Sequence, residues 1–271
     1  MLRRLLLLAL AVPALAGAGT EFVRVDTDDD GRARALQLGI VSYISRGVTV
    51  DLVSAVHVGD PEYYAGLNDQ FTDYDSLLFE LVAPEDADFS RIASGRKGLL
   101  STAQMGLTRL LDLSFQLDEI NYGAANFVHA DLTPQGIRES MVERNESLYT
   151  YFWRLFFASV NEYAKDPLGL QDWQMLSAMI GPDEDMSLKT LIAYQMTDLE
   201  QVQGILGDDS DSTIVGARNE RAIEVLHEQL DAGVRRVGIF YGVAHMPDLE
   251  DKLLAMGFEY VGTQWVDAWA L

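Results

Sequence analysis

Residues 48–82, VTVDLVSAVHVGDPEYYAGLNDQFTDYDSLLFELV, constrain the fold more than any other stretch. The run VTVDLVSAV is apolar and rich in β-branched residues, the pattern of a strand covered on both faces of a parallel sheet. His57 follows at once, where the chain leaves the sheet through Gly59, Asp60 and Pro61. In open α/β sheets the carboxyl ends of the strands are where ligands bind. A helix over 62–71 then leads to a second strand, SLLFELV over 76–82, whose single charge is Glu80. A carboxylate within an apolar strand is costly unless a metal ion or an arginine pairs with it. The predicted fold is α/β, with a central, mainly parallel sheet.

The last third of the chain repeats the pattern. A helix over 213–232 ends at Gly233, and RVGIFY over 236–241 reads as a strand. Gly242-Val243-Ala244-His245 leaves it, followed by a helix from Pro247 to Met256 and a closing strand over 258–265. Each unit therefore runs strand, lone histidine, proline-led helix, strand. Paired in one sheet, the two units bring His57 and His245 to the same edge. A lone histidine in such a place is ordinarily a hydrogen-bonded structural residue. Two in equivalent settings, with Glu80 beside the first, point to a functional site.

Between the units, NFVHADL over 126–132 reads as a strand, and Thr133-Pro134 starts a helix with a threonine cap and a proline at the first position. His129 and Asp131 are two residues apart on that strand, so both side chains point to one face. They read as further metal ligands, or as a carboxylate–histidine pair behind the ligands, or, for His129, as a core residue with its hydrogen bonds satisfied. A helix over 99–120 has Leu107, Leu110, Leu111, Phe115 and Leu117 as core positions. The helix from about 135 to 164 contains LYTYFWRLFFASV, aromatic around nearly its whole circumference. That suits burial on several sides, or a face turned to a membrane or to a second copy in a homodimer. Arg154 is the lone basic residue between Arg144 and Lys165, which gives little support to an anionic-membrane anchor. Residues 166–212, broken by Pro167, Gly169, Gly181, Pro182 and an acidic run over 207–211, complete a helical insertion or subdomain over about 135–212.

At the other end, Asp26-Thr27-Asp28-Asp29-Asp30-Gly31 matches the opening of a calcium loop, but the twelfth position is Gln37 where an acidic residue is required. An Asp/Gly hairpin turn accounts for it better. Arg3-Arg4 before an apolar run over 5–15, with Ala14-Leu15-Ala16 behind it, reads as a signal peptide over 1–16. Residues 17–271 then form one periplasmic or secreted α/β domain with no transmembrane segment. The formal charge of −22 argues against nucleic acid and anionic membrane surfaces as partners. It suits a saline habitat, cationic ligands, or simply a soluble acidic surface. Cysteine is absent, which excludes disulfides, thiolate metal sites and cysteine nucleophiles. His, Asp and Glu remain as ligands, a set suited to Zn, Mn, Co or Fe. No G-x-S-x-G, H-E-x-x-H, P-loop or G-x-G-x-x-G occurs.

The ordered set Ser54-Ala55-Val56-His57, Glu80, Arg218-Asn219 and Gly242-Val243-Ala244-His245 resembles the TraB/PrgY/GumN group, related to the animal TIKI proteins. The family's marks are two G-x-x-H motifs, a glutamate closing the strand after the first, and an R-N or R-D pair before the last strand. The likeness covers most of 37–271, with the middle helices matching in outline. Ser54 departs from it, standing where the family prefers glycine. The resemblance implies a metal-dependent hydrolase, TIKI-type members being Mn- or Co-dependent peptidases, and a fold like that of erythromycin-esterase-like and haem-binding ChaN-like proteins.

The expected site has His57 and His245 as imidazole ligands of a divalent cation (Mn, Co or Zn), with Glu80 as third ligand or general base. His129 and Asp131 are fourth and fifth contributors. Arg218 clamps a substrate carboxylate or stabilises an oxyanion, or else neutralises Glu80, and Asn219 supports either role. His227 sits in an ordinary helical pattern and is set aside. The expected function is that of a metallohydrolase, a peptidase or amidase acting on peptides or small amide or ester substrates. The alternative is a non-catalytic periplasmic protein that captures a peptide signal or haem.

Overall fold

The computed structural model describes residues 20–84, 86–89, 113–144, 146, 187–197 and 212–271. The predicted signal peptide over 1–16, residues 147–164 of the predicted aromatic helix, all of 90–112, and 166–186 and 198–211 lie outside the described residues.

The chain begins with two hairpins. β1 (Val23–Thr27) and β2 (Ala33–Ser45) are antiparallel. The acidic run between them is a turn: Asp28 Oδ1 accepts from the Asp30 and Arg32 amides, each at 2.9 Å, and Gly31 takes φ +81°. β3 (Val48–Ala55) returns against β2 through Arg46 and Gly47, both at positive φ, as a two-residue hairpin loop requires. β3 is buried at seven of its eight positions, as its composition predicts.

From β3 the chain makes a short strand, β4 (Val58–Gly59), and then α1 (Pro61–Phe71), whose Tyr63, Tyr64, Leu67 and Phe71 are buried. β5 (Ser76–Phe79) is fully buried. β6 (Ser114–Phe115) pairs with β4 and runs into a single turn of helix, α2 (Gln116–Glu119). The predicted helix over 99–120 does not extend through this part, and Leu117 is 39% exposed rather than in the core. β7 (Phe127–His129) is followed by α3 (Pro134–Glu143), capped by the Thr133 hydroxyl accepting from the Gly136 amide. Then come α4 (Leu188–Met196), a π-helical turn (Thr213–Ala217) and α5 (Arg218–Asp231), with Gly233 at φ +90° just after it. β8 (Arg236–Gly242), a 3₁₀ turn (Val243–His245), α6 (Met246–Ala255) and β9 (Glu259–Ala270) close the chain.

These strands form an α/β fold around one mixed sheet. β3, β8, β5 and β7 are neighbours in that order and run parallel. β2 joins antiparallel to β3, with β9 antiparallel on its other side. The two strand–histidine–helix–strand units therefore pair through their first strands, β3 beside β8. Their second strands part company: β5 joins the parallel set, and β9 crosses to β2. The core comprises both faces of the central strands, with Leu52, Leu78 and Ile239 fully buried. Each such side chain contributes about 1.5–3 kcal/mol of burial. Among the described residues no helix is long and apolar enough to cross a membrane.

Candidate functional site

Four parallel neighbours put four exits at one edge of the sheet. Ala55 is level with Gly242, and Phe79 is level with both Phe240 and His129. The next residues along each strand are Val56 and His57, Val243 to His245, Glu80, and Ala130 with Asp131. Parallel register alone thus gathers most of the expected site.

Glu80 is its centre. Its Oε1 accepts from Arg218 Nη2 at 2.7 Å, and its Oε2 accepts from the Gly242 backbone N–H at 2.6 Å. A Cβ at position 242 would lie 3.2 Å from Oε2 and 3.8 Å from His245 Cδ2, so glycine gives the carboxylate its close seat. Burial alone would raise the Glu80 pKa. In the acid range where Glu80 titrates, His245 is protonated, and it outweighs burial together with Arg218, the Gly242 N–H and His57, holding the pKa at about 2.

Arg218 stands between two carboxylates. Besides Glu80 it grips Asp131 with a fork, Nε to Oδ1 at 2.9 Å and Nη2 to Oδ2 at 2.6 Å. The Asp131 side chain has no exposure, and its Oδ1 also accepts the Leu132 amide at 2.7 Å. Burial opposes the Arg218 charge, but Asp131 and Glu80 overcome this and raise its pKa. Two carboxylates against one guanidinium leave one negative charge in the cluster.

His245 completes it. The Asn219 side chain donates through Nδ2 to the His245 carbonyl at 3.1 Å and to Asp248 Oδ2 at 2.8 Å. Its Oδ1 is therefore the acceptor facing His245 Nδ1 at 2.7 Å, which puts the ring proton on Nδ1. Burial pulls the His245 pKa below its ordinary 6.5, against the opposing effect of Glu80. At neutral pH the ring is uncharged, and the Nε2 lone pair faces Glu80 Oε1 at 3.6 Å. Two buried acceptors face each other with no proton between them. Two acceptors held this close repel unless a cation or a proton donor lies beside both.

The other expected residues are placed differently. His57 is exposed at the exit from β3, near enough to contribute to the field at Glu80. Its backbone is well fixed: the Tyr63 and Tyr64 hydroxyls donate to the Ser54 and Val56 carbonyls, and the Gln116 amide donates to the His57 carbonyl. His129 and Asp131 border one open cleft with Thr133, Arg138 and Arg221, but they do not act as a pair. The strand ends at His129, whose Nε2 lies 2.7 Å from the Leu81 carbonyl and whose ring stacks on Phe89. Asp131 is engaged by Arg218. Neither has a free donor atom aimed at Glu80 and His245 in the way a fourth or fifth ligand requires. Among the described residues no group of three or more His, Asp or Glu side chains is arranged to hold a metal ion. The donor atoms that face each other are His245 Nε2 and Glu80 Oε1, and His57 lies exposed at the exit of the neighbouring strand.

Sequence reasoning missed Asp248, which fixes Asn219, and Tyr241. Tyr241 donates its hydroxyl to the Ala130 carbonyl and so holds the turn that presents Asp131. No motif marks these residues. Only their position beside the strand exits finds them.

Compared with known proteins, the chain matches no family model, and no curated protein matches it. The resemblance to the TraB/PrgY/GumN group rests on its ordered motifs alone.

Proposed function

We propose that the protein is a metal-dependent hydrolase, a peptidase or amidase acting on peptides or small amide or ester substrates after export to the periplasm or beyond. The observation that supports this most directly is the acceptor–acceptor gap between His245 Nε2 and Glu80 Oε1, 3.6 Å wide and set in a cluster with one surplus negative charge. Glu80, His245 and His57 would hold the ion, which is Mn, Co or Zn on the chemistry of the donor set. When bound, it would supply Lewis acidity and a water acidified toward neutral pH.

The chain's own residues do the rest. Asn219 keeps the proton of His245 on Nδ1, so that Nε2 is available as a donor atom. Arg218 and the Gly242 N–H hold Glu80 ionised and in one orientation. A carboxylate with a pKa of about 2 is a dependable anionic ligand and a weak base, so Glu80 serves better as ligand than as proton acceptor. Arg218 commits Nε and Nη2 to Asp131 and Glu80, so it serves as their shared counter-ion rather than as a clamp for a substrate carboxylate. An imidazole aimed at a carboxylate also suits a small hydrophilic cation better than haem, whose axial ligand stands over an apolar slot.

The test is metal analysis of the purified protein beside His57→Ala and His245→Ala, followed by a peptide-library cleavage assay with added Mn, Co or Zn. Wild type should bind about one ion per chain and cleave, and His245→Ala should lose both properties. If wild type takes up no divalent metal under any loading condition, the reading fails. Metal binding without turnover would favour the capture protein instead.

A further inference from the structure

Beside the charged cluster lies an open cleft of about 830 Å³, a size usual for small-molecule sites. It is bordered by Asp131 just past β7, by Thr133 and Arg138 at the start of α3, and by Arg221 at the start of α5. One side chain joins it to the centre of the site. Arg218 Nη2 donates to Asp131 Oδ2 at 2.6 Å and to Glu80 Oε1 at 2.7 Å, so those two oxygens are at most two hydrogen bonds apart. Residues three apart on a helix are surface neighbours, so Arg221 stands one turn along α5 from Arg218, on the same side. The far end of α3 is fastened: Ser140 Oγ lies 3.0 Å from Thr213 Oγ1, and Arg144 Nη2 donates to Glu220 Oε2 at 2.9 Å. The cleft opens at the near end.

The acids of this cleft are engaged, and its bases keep N–H groups to offer. Asp131 is gripped by Arg218, and Glu139 Oε1 accepts from Gln135 Nε2 at 2.7 Å. Arg221 commits only Nη1, to Glu224 at 3.1 Å and Glu228 at 3.4 Å, and both acids are largely exposed, so these pairs contribute little. Arg138 has no acidic partner among the described residues. With Asp and Glu outnumbering Lys and Arg by 42 to 20, a base ordinarily finds an acid, yet Arg138 borders the cleft without one. Two guanidiniums at one cleft match a carboxylate, whose planar pair of oxygens fits their forked donors. A neutral or cationic ligand gains nothing from them.

We propose that Arg138 and Arg221 bind a carboxylate of the substrate in this cleft while the bond to be cleaved lies at Glu80 and His245. The inference rests on the hydrolase reading and adds to it a substrate class: peptides with a carboxylate near the cleaved bond, at the C-terminus or on an acidic side chain. The net charge of −22 repels such a ligand elsewhere, so the two arginines supply an attraction that the rest of the surface opposes. They hold a part of the substrate that does not react, so their loss falls on KM rather than on kcat.

The test uses the full chain loaded with Mn or Co and four versions of one cleaved peptide. These combine a C-terminal acid or amide with Asp or Asn beside the cleaved bond. Wild type should show a KM lower by about tenfold or more for the acid in one of the two pairs, and that pair identifies the carboxylate. Arg138→Gln and Arg221→Gln should each remove most of this preference. Equal KM values for all four peptides, or a preference that both variants keep, overturns the inference while the hydrolase reading stands. A wild type that cleaves no peptide is the failure of the hydrolase reading, and binding then decides the cleft. In ¹⁵N NMR of the wild type, N-acetylglycine should shift the Arg138 Nε–H signal in a saturable way, and N-acetylglycinamide should do so less. No shift with N-acetylglycine, or equal shifts with the two probes, overturns the inference.

Discussion

Replacing Arg218 by methionine should be the most damaging single change at the site. The guanidinium makes three charge-assisted bonds, at 2.6 and 2.9 Å to Asp131 and 2.7 Å to Glu80, and all three side chains are largely buried. Methionine keeps most of the aliphatic stem, so the loss is one of charge rather than packing. Removing one partner of a buried pair costs about 3–5 kcal/mol. Here two carboxylates are left without their shared cation, while the Gly242 and Leu132 amides still hold one oxygen of each. The expected loss is about 4 kcal/mol at pH 7, read from urea unfolding. The sign with pH follows from Glu80: without Arg218 its folded pKa rises from about 2, so protonation relieves the variant at a pH where wild-type Glu80 is still ionised. The gap between variant and wild type should narrow by about 1 kcal/mol or more between pH 7 and pH 4. Arg218→Lys keeps the charge but not the fork, and should cost about 1–2 kcal/mol. A deficit for Arg218→Met under about 1 kcal/mol at pH 7, or a gap constant with pH, would refute the view that both carboxylates depend on this one cation.

The two titrating residues of the site predict acid sensitivity in two stages. His245 has a folded pKa below its ordinary 6.5, so its contribution is complete above that value and falls as pH drops through the folded pKa. Glu80 contributes about 3 kcal/mol above pH 4.5 that is lost as pH falls from 4.5 to about 2. In melting curves against pH, His245→Gln should remove the first decline and move the Glu80 decline to higher pH, because the charged ring is the largest influence that lowers the Glu80 pKa. A wild type flat from pH 7 down to about pH 5 would contradict the assignment of a buried neutral ring. Gly238→Ala should cost about 1–3 kcal/mol by thermal or urea unfolding, because a Cβ there would lie 2.5 Å from Leu77 Cδ1 and 3.1 Å from two Tyr74 ring atoms. An unchanged midpoint would mean that this part of the core has room. The net charge of −22 predicts that raising NaCl from about 0.05 to about 1 M increases the melting temperature, since salt screens repulsion among exposed carboxylates. A steady fall over that range would mean that favourable ion pairs dominate the surface instead.

The parallel core was legible because its strands are short, apolar and β-branched, and because each histidine follows a strand at once. Glu80 was legible because a lone charge in SLLFELV demands a partner. The identity of that partner was not. Arginine and metal both satisfy the same electrostatic requirement, and only the positions of the Arg218 nitrogens show that the guanidinium bridges two carboxylates. The H-x-D pattern was half legible: His129 and Asp131 do border one cleft, but the His129 ring is taken up by the Leu81 carbonyl and Phe89 while Asp131 is held by Arg218. The helix expected over 99–120 rested on spacing alone, and near its end Ser114 and Phe115 instead pair with Val58 and Gly59. Residues such as Tyr241 and Asp248 carry no signal of their own in the sequence. Their roles arise from contacts between segments far apart along the chain.

The two histidine motifs look alike in sequence and do different work, and sheet register explains the difference. Ala55, not Ser54, is level with Gly242, and Ser54 is level with Tyr241. The first motif is therefore offset by one residue along its strand, and in a pleated sheet a one-residue offset turns a side chain to the other face. The Ser54 hydroxyl is accordingly buried and without a partner, and it makes no contact with the carboxylate that Gly242 accommodates. A serine is tolerated there because nothing needs the space its Cβ occupies. At position 242 the same Cβ would press on Glu80, and the N–H that fixes Oε2 would be harder to reach. The second motif thus orients the buried half of the site, with Glu80, Asn219 and His245 locked together. The first offers one exposed imidazole on a firmly pinned backbone. An ion or substrate arriving from solvent would meet His57 first and the fixed pair behind it, an order that follows from burial alone.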